Sequence, residues 1–447
     1  MTVLARLSES SWQGSKYDRS AVRCGVVHLG LGAFHRAHQA PVFDHLVAGG
    51  DARWGVTGVA MRSERLVETL RAQDGLYSLF TRGNDDVAPR VLGVMKALLV
   101  AAREPQEVIR ALVDEDTHLV TLTVTEKGYL DHSPMGPAGL IAQALERRRR
   151  QGRAPLTVLS CDNLSHNGAV ARQAVLQAAR RLGVGQTGCA WIEHSVQYPS
   201  SMVDRITPAS SAYVIDESSR ALGLQDEAAV WTESFWQWVL EDRFAAVRPD
   251  LNRAGVQLVA DVAPWEKAKL RLLNAAHSAL AYLGLERGHR YVHEAIADAG
   301  LARLIERLWD EASQGLNRQV VDVERYRVRL LRRFSSPALP HALLQIAADG
   351  SQKLPQRILC TMRERAALGL ASPALATAVA AWAHALAGID GLSDPLLERL
   401  TGIARAHGPG AITMRRLLEC IDAGAAANPR IVEETARELD RMRHGSR

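Results

Sequence analysis

At 447 residues, with 47% hydrophobic and 23% charged side chains, the chain has room for two domains, each with its own core. A formal net charge of +5 is mild for this length, and the one basic run, Arg147 to Arg150, has no interleaved aromatics. That excludes a nucleic-acid binder as the leading reading and leaves the run as the solvated, dipole-suited end of a helix. Five scattered cysteines without a CxxC pair argue against a disulfide framework or structural zinc and fit a reducing cytoplasm.

In chain order, Met1 to Ser20 is polar and lacks the apolar core of a signal peptide. Strand-like segments follow at Gly25–Leu29, Gly55–Val59, Leu119–Val124, Leu156–Ser160 and Cys189–His194. Amphipathic helical stretches lie between them at Ser63–Ala72, Pro105–Asp114, Leu140–Arg150 and Asn167–Leu182. This alternation predicts a parallel sheet with helical crossovers over residues 1–260, closed by a last strand at Val256–Val262. From Pro264 onward the period is 3.6 almost throughout, so residues 261–447 are expected to form a mainly α-helical domain. Its alanine-rich stretch, Ala371 to Ala387, is short for a bilayer and interrupted by Pro373, Trp382 and His384, so it reads as a buried helix.

The first strand runs into Gly30-Leu31-Gly32-Ala33-Phe34-His35-Arg36. Glycines there let the backbone turn tightly and approach a pyrophosphate at a helix N-terminus, although His35 occupies the third glycine position and a plain strand–helix turn reads as well. After the second strand, Arg62 offers a partner for a 2′-phosphate and Glu64 an acceptor for a ribose hydroxyl; both also suit an exposed helix start. NAD and NADP stay equally open. Two later strands end in polar clusters, Thr123-Val124-Thr125-Glu126-Lys127-Gly128-Tyr129 and Ser160-Cys161-Asp162-Asn163-Leu164. Carboxyl ends of parallel strands face the ligand crevice, while Asp162 or Asn163 also suits an N-cap.

Lys269-Leu-Arg-Leu-Leu-Asn274-Ala-Ala-His277 places an amine, an amide and an imidazole in an apolar helical pattern. At about 100° per residue, Asn274 and His277 lie roughly 140° and 80° around the helix from Lys269. Such groups are costly to bury without partners or solvent. The chain has no Tyr-x-x-x-Lys dyad and no Cys/His cluster of the catalytic zinc type, and His35 and His38 form an H-x-x-H pair without a clear third ligand. If the chain is a dehydrogenase, Lys269 is the candidate proton acceptor.

Eight segments in order then carry a resemblance: Gly30–Gln39, Gln73–Leu79, Thr123–Tyr129, Ser160–Leu164, Val203–Pro208, Val239–Phe244, Lys269–His277 and Asp349–Arg357. Together they resemble the polyol-specific long-chain dehydrogenases, the group of mannitol 2-dehydrogenase, arabinitol dehydrogenase and fructuronate reductase. The resemblance implies a Rossmann-type dinucleotide-binding domain followed by a helical substrate domain, and metal-independent oxidation of a secondary alcohol with NAD or NADP. By position it implies Lys269 as general base, Asn163 and Asn274 as donors to the developing alkoxide, and His277 as a contact to a substrate hydroxyl. It further implies Glu266 as a route for the proton to solvent, and Asp204 and Lys353 as substrate-side residues. Gly30, Gly32, Ala33, Phe34, Arg62, Glu64, Thr125 and Glu126 are the coenzyme-side candidates.

One position departs from the pattern. Gln345 stands where mannitol dehydrogenases resemble an arginine-bearing sequence, and exchanging a planar cation for an amide changes substrate selection. Mannitol, arabinitol or sorbitol is the expected class of substrate. A sugar acid of the mannonate/fructuronate or altronate/tagaturonate kind is the alternative, with Lys353 or an arginine within 325–333 to meet its carboxylate. A non-catalytic dinucleotide sensor is a remote alternative. The expected protein is a monomer in the cytoplasm, with no metal, membrane or nucleic-acid partner.

Overall fold

The computed structural model describes residues 4–12, 14–83, 89–406, 408 and 410–445, and the chain divides into two compact units, residues 1–263 and 264–447. The strands are β1 (Val26–Leu29), β2 (Val56–Ala60), β3 (Tyr77–Arg82), β4 (Arg90–Leu92), β5 (Met95–Val100) and β6 (Leu119–Leu122). They continue with β7 (Thr157–Ser160), β8 (Ser201–Asp204), β9 (Val230–Glu233), β10 (Gln237–Glu241) and β11 (Gln257–Val259).

The first unit is built on a five-stranded sheet in the order β5-β2-β1-β6-β7, parallel throughout. Both faces are covered, as parallel sheets require: Val26 and Val56 turn to one core, while Val27, Leu29, Val120 and Val158 turn to the other. Two three-stranded sheets, β11-β10-β8 and β4-β3-β9, complete the unit.

Four expected strands form within a residue or two of their expected ends, and the Val256–Val262 strand shortens to β11. The fifth expected strand, Cys189–His194, is instead part of a helix, Gln186–His194. Its buried residues, Gly188, Ile192 and then Val196, recur every four positions rather than every two. The chain meets β7 only beyond that helix, where Val158 N–H donates to Gln197 O at 2.9 Å. Conversely, β5 escapes local reading because Met95-Lys-Ala-Leu-Leu is made of helix formers, and pairing with β2 overrides their propensity. The arginine run does close a helix, Pro137–Arg150, but Arg148 is buried and donates to Leu112 O, Asp114 O and Ala154 O.

In the second unit every described element is helical, around a core that includes Leu272, Leu280, Trp309, Leu359, Trp382 and Leu417. The alanine-rich stretch becomes the buried helix Pro373–Gly388. Among the described residues no helix is long and apolar enough to cross a membrane.

Candidate active site

In the first unit, β1 passes into the glycine turn and then the helix Ala33–His38. Gly30 has φ of +102°, and a Cβ there would lie 2.1 Å from Thr123 O, so only glycine fits. Gly32 differs: its backbone is extended, and the nearest atom to an added Cβ is Gly30 O at 3.7 Å. As the N-cap it brings no side-chain acceptor to the first helical N–H groups, at Ala33 and Phe34. An open glycine beside uncapped N–H groups fits a phosphate. His35, at the third glycine position, is buried and stacks on His28 with ring centroids 3.4 Å apart. Burial drives both rings to the neutral form, His28 to a pKa of about 3. His38 Nε2 lies 3.0 Å from Gln237 O, so the two histidines do not converge on one point. Among the described residues no group of three or more His, Cys, Asp or Glu is arranged to hold a metal ion.

Beyond β2, Arg62 is exposed, and Glu64 precedes the helix Arg65–Ala72 with its carboxylate 2.6 Å from Arg103 Nε. At the end of β6, Thr125 and Glu126 are exposed at the start of a short helix, with Thr125 at φ +63°. Asn163 is exposed past β7, and Asp204 is buried at the end of β8. Asp162 does not cap the next helix, whose N-cap is His166. Its carboxylate turns back to the β6 turn instead.

In the second unit, Lys269, Asn274 and His277 sit on one continuous helical stretch, residues 263–286, and all three are buried. The α-helical spacing expected for them does not hold: Lys269–Asn274 is a π-turn, in which Ala275 N–H reaches back five residues to Leu270 O. The wider turn brings the fifth residue nearer the azimuth of the first than 140°. Trp309 Nε1 donates to Leu272 O at 2.8 Å, supporting a carbonyl of the opened ladder. Arg271 and Lys267 both pair with Glu364. A second π-turn, Pro355–Leu359, packs against the first. Pro355 has no N–H for the regular ladder, which accounts for the opening there.

Asn274 Nδ2 and His277 Nε2 have no hydrogen-bond partner among the described residues. Leaving a donor or acceptor buried and unpaired costs about 1–3 kcal/mol each, which a ligand oxygen would offset. The His277 ring lies 4.7 Å from Phe334 and edge-on to His341 at 5.4 Å. Burial first, then His341, Arg333, Arg357 and Lys269, push the His277 pKa well below its usual value. Its imidazole is therefore neutral near pH 7, as is that of His341, lowered to about 4 by burial and Lys353. Lys353 Nζ donates to Ala348 O at 2.5 Å, capping the short helix Leu343–Ala347 that carries Gln345, itself exposed. Glu266 is buried one turn before Lys269.

Reading by pattern picks out the Lys269 group but passes over His341, Phe334 and Arg357, although Arg357 ends one of the quoted segments. Arg357 Nη1 donates to Ser278 Oγ at 3.2 Å, beside His277 in the chain. An arginine and an aromatic on separate helices leave no local signal of meeting a histidine.

Comparison with known proteins gives concordant matches. Residues 24–253 match the family model of the mannitol dehydrogenase Rossmann domain, and residues 261–443 that of the mannitol dehydrogenase C-terminal domain. An uncharacterized oxidoreductase of Escherichia coli K12, YeiQ, is 38% identical over 86% of this chain and 85% of its own length. D-mannonate oxidoreductase of the same strain is 37% identical, over 90% and 89%. Mannitol 2-dehydrogenase of Pseudomonas fluorescens, solved as a ternary complex with NAD and D-mannitol, superposes with a TM-score of 0.90 at 33% identity, covering 98% of this chain and 97% of that one.

Proposed function

The chain belongs to the mannitol dehydrogenase family, and on that footing we propose that it is an NAD(P)-dependent dehydrogenase oxidising a secondary alcohol of a polyol reversibly to the ketose. In this reading residues 1–260 bind the dinucleotide and residues 261–447 bind substrate and carry the base. The observation that supports it most is a pair of buried polar atoms with no partner among the described residues, Asn274 Nδ2 and His277 Nε2, on the helix that carries Lys269.

When bound, the nicotinamide coenzyme supplies the acceptor for the hydride leaving the carbinol carbon. The glycine turn with Ala33 and Phe34 would hold its pyrophosphate, Arg62 and Glu64 would meet its ribose side, and Thr125 and Glu126 are further coenzyme-side residues. Lys269 takes the hydroxyl proton, for which it must arrive uncharged. Asn163 and Asn274 donate to the oxygen as negative charge gathers on it. A neutral His277 offers Nε2 to a neighbouring substrate hydroxyl, and Glu266 passes the proton on towards solvent. Asp204, Lys353 and Gln345 contact or support the remainder of the substrate. The five unpaired cysteines support a reducing cytoplasm as the place of action, and we assign the active form to a monomer.

A sugar acid is the second reading, supported by the cations acting on His277 and His341, namely Arg333, Arg357 and Lys353. Turnover of mannitol, arabinitol and sorbitol against mannonate and altronate, each with NAD and NADP, decides between them. A purified chain that turns over none of these overturns both.

A further inference from the structure

Asn163 and the Thr125 turn leave the ends of adjacent strands, and one side chain joins them. Asp162 Oδ2 accepts from Val124 N–H at 3.0 Å and from Tyr129 Oη–H at 2.6 Å, while Oδ1 accepts from Thr125 N–H at 2.9 Å. Tyr129 Oη also lies 2.6 Å from Ser160 Oγ, at the end of β7. The same turn is fastened to the glycine turn, because Thr123 Oγ1 donates to Gly30 O at 2.9 Å and Thr123 O fills the space of a Gly30 Cβ. On its other side, Asp162 O accepts from Asn167 Nδ2 at 3.0 Å. Asn167 in turn donates to Ser201 O at 2.8 Å and accepts from Ser201 N–H at 3.0 Å, at the start of β8.

We propose that Asp162 is a positioning residue, whose carboxylate locks the β6 turn to the end of β7 so that the nucleotide turn and Asn163 form one rigid frame. This rests on the reading of Asn163 as a donor to the reacting oxygen. Three features separate it from an ordinary turn staple. Thr125 is held at φ +63°, a conformation costly for a β-branched residue, and Asp162 receives its N–H. A carboxylate is an expensive choice here, since desolvation raises its pKa in spite of three donors. The frame also begins at Gly30 and ends one residue from Asn163, so it spans the places assigned to coenzyme and reacting oxygen.

Asp162→Asn keeps the side-chain shape but turns an N–H₂ towards donors that need an acceptor. NADH binding by fluorescence titration, and kcat and KM with the fastest polyol of the panel, are measured on folded protein. The expected result is NADH binding weaker by about tenfold. Turnover falls by about 10²-fold, as for misplacement of a reacting group by about 1 Å, with polyol KM within about threefold. Binding and kcat both within about twofold of wild type overturn the proposal. If Asp162→Asn does not fold, Tyr129→Phe decides: losing one of three donors should lower kcat by about fivefold, and an unchanged kcat and NADH affinity overturn the frame. Weakened NADH binding in a chain that turns over no substrate supports the frame while overturning the function proposed above.

Discussion

Beyond β7 in the first unit, Asp162 and Asn167 place their polar atoms on neighbouring main chain, whereas in the 263–286 helix Asn274 Nδ2 and His277 Nε2 are buried with no partner among the described residues. Both regions carry costly groups, but the first recovers the cost within the fold and the second does not. A polar group satisfied by neighbouring backbone stiffens the fold, whereas the unpaired atoms on the Lys269 helix support the reading of a ligand site there. The backbone differs in the same sense. Gly30 is forced by contact with Thr123, while the π-turn at Lys269 gives up regular helix geometry without any glycine or proline inside it.

The sharpest way to break this contrast is to remove the residue proposed as the base. Lys269→Ala should lower kcat by about 10³-fold or more, with NADH affinity and thermal midpoint near wild type. Near-full turnover in this variant sinks the mechanism. Asn274→Ala comes next: kcat should fall by about 10²-fold, while stability stays near wild type because the buried Nδ2 lost has no partner among the described residues. Asn167→Ala should behave in the opposite way, costing about 2–3 kcal/mol of unfolding free energy in denaturant titration through three lost hydrogen bonds.

A matched pair probes the glycine turn. Gly30→Ala should destabilise the fold strongly, whereas Gly32→Ala should leave the thermal midpoint within a few degrees and weaken NADH binding. Equal effects of the two would show that Gly32 is only structural.

The smallest expected effect concerns pH. His28 and His341 titrate at about 3 and about 4 when folded, below their unfolded value, so the unfolded chain binds their protons first on acidification. Their contribution to stability is complete above about pH 6.5 and is lost as the pH falls towards those folded values. His341→Gln should flatten the fall of the thermal midpoint between pH 6.5 and 4. An unaltered slope would show that His341 does not carry that linkage.

Much of the architecture was legible in the order of residues. Alternation over the first 260 residues specifies a parallel α/β unit because strands buried on both faces need continuous apolar runs. The 3.6 period beyond Pro264 specifies helices, and Lys269, Asn274 and His277 stand out because polar groups rarely interrupt such a period. Gly30 and Gly32 were readable together as a tight turn after the first strand, but that Gly30 alone is forced, by Thr123, was not. What tertiary structure alone decided are the relations between distant segments. Met95–Val100 is a strand only because β2 lies beside it. The turn geometry at Lys269, the neutrality of His277 beneath His341 and Phe334, and the reach of Asp162 to Val124, Thr125 and Tyr129 follow likewise. Each depends on burial or on a partner from another element, and neither is encoded in local spacing.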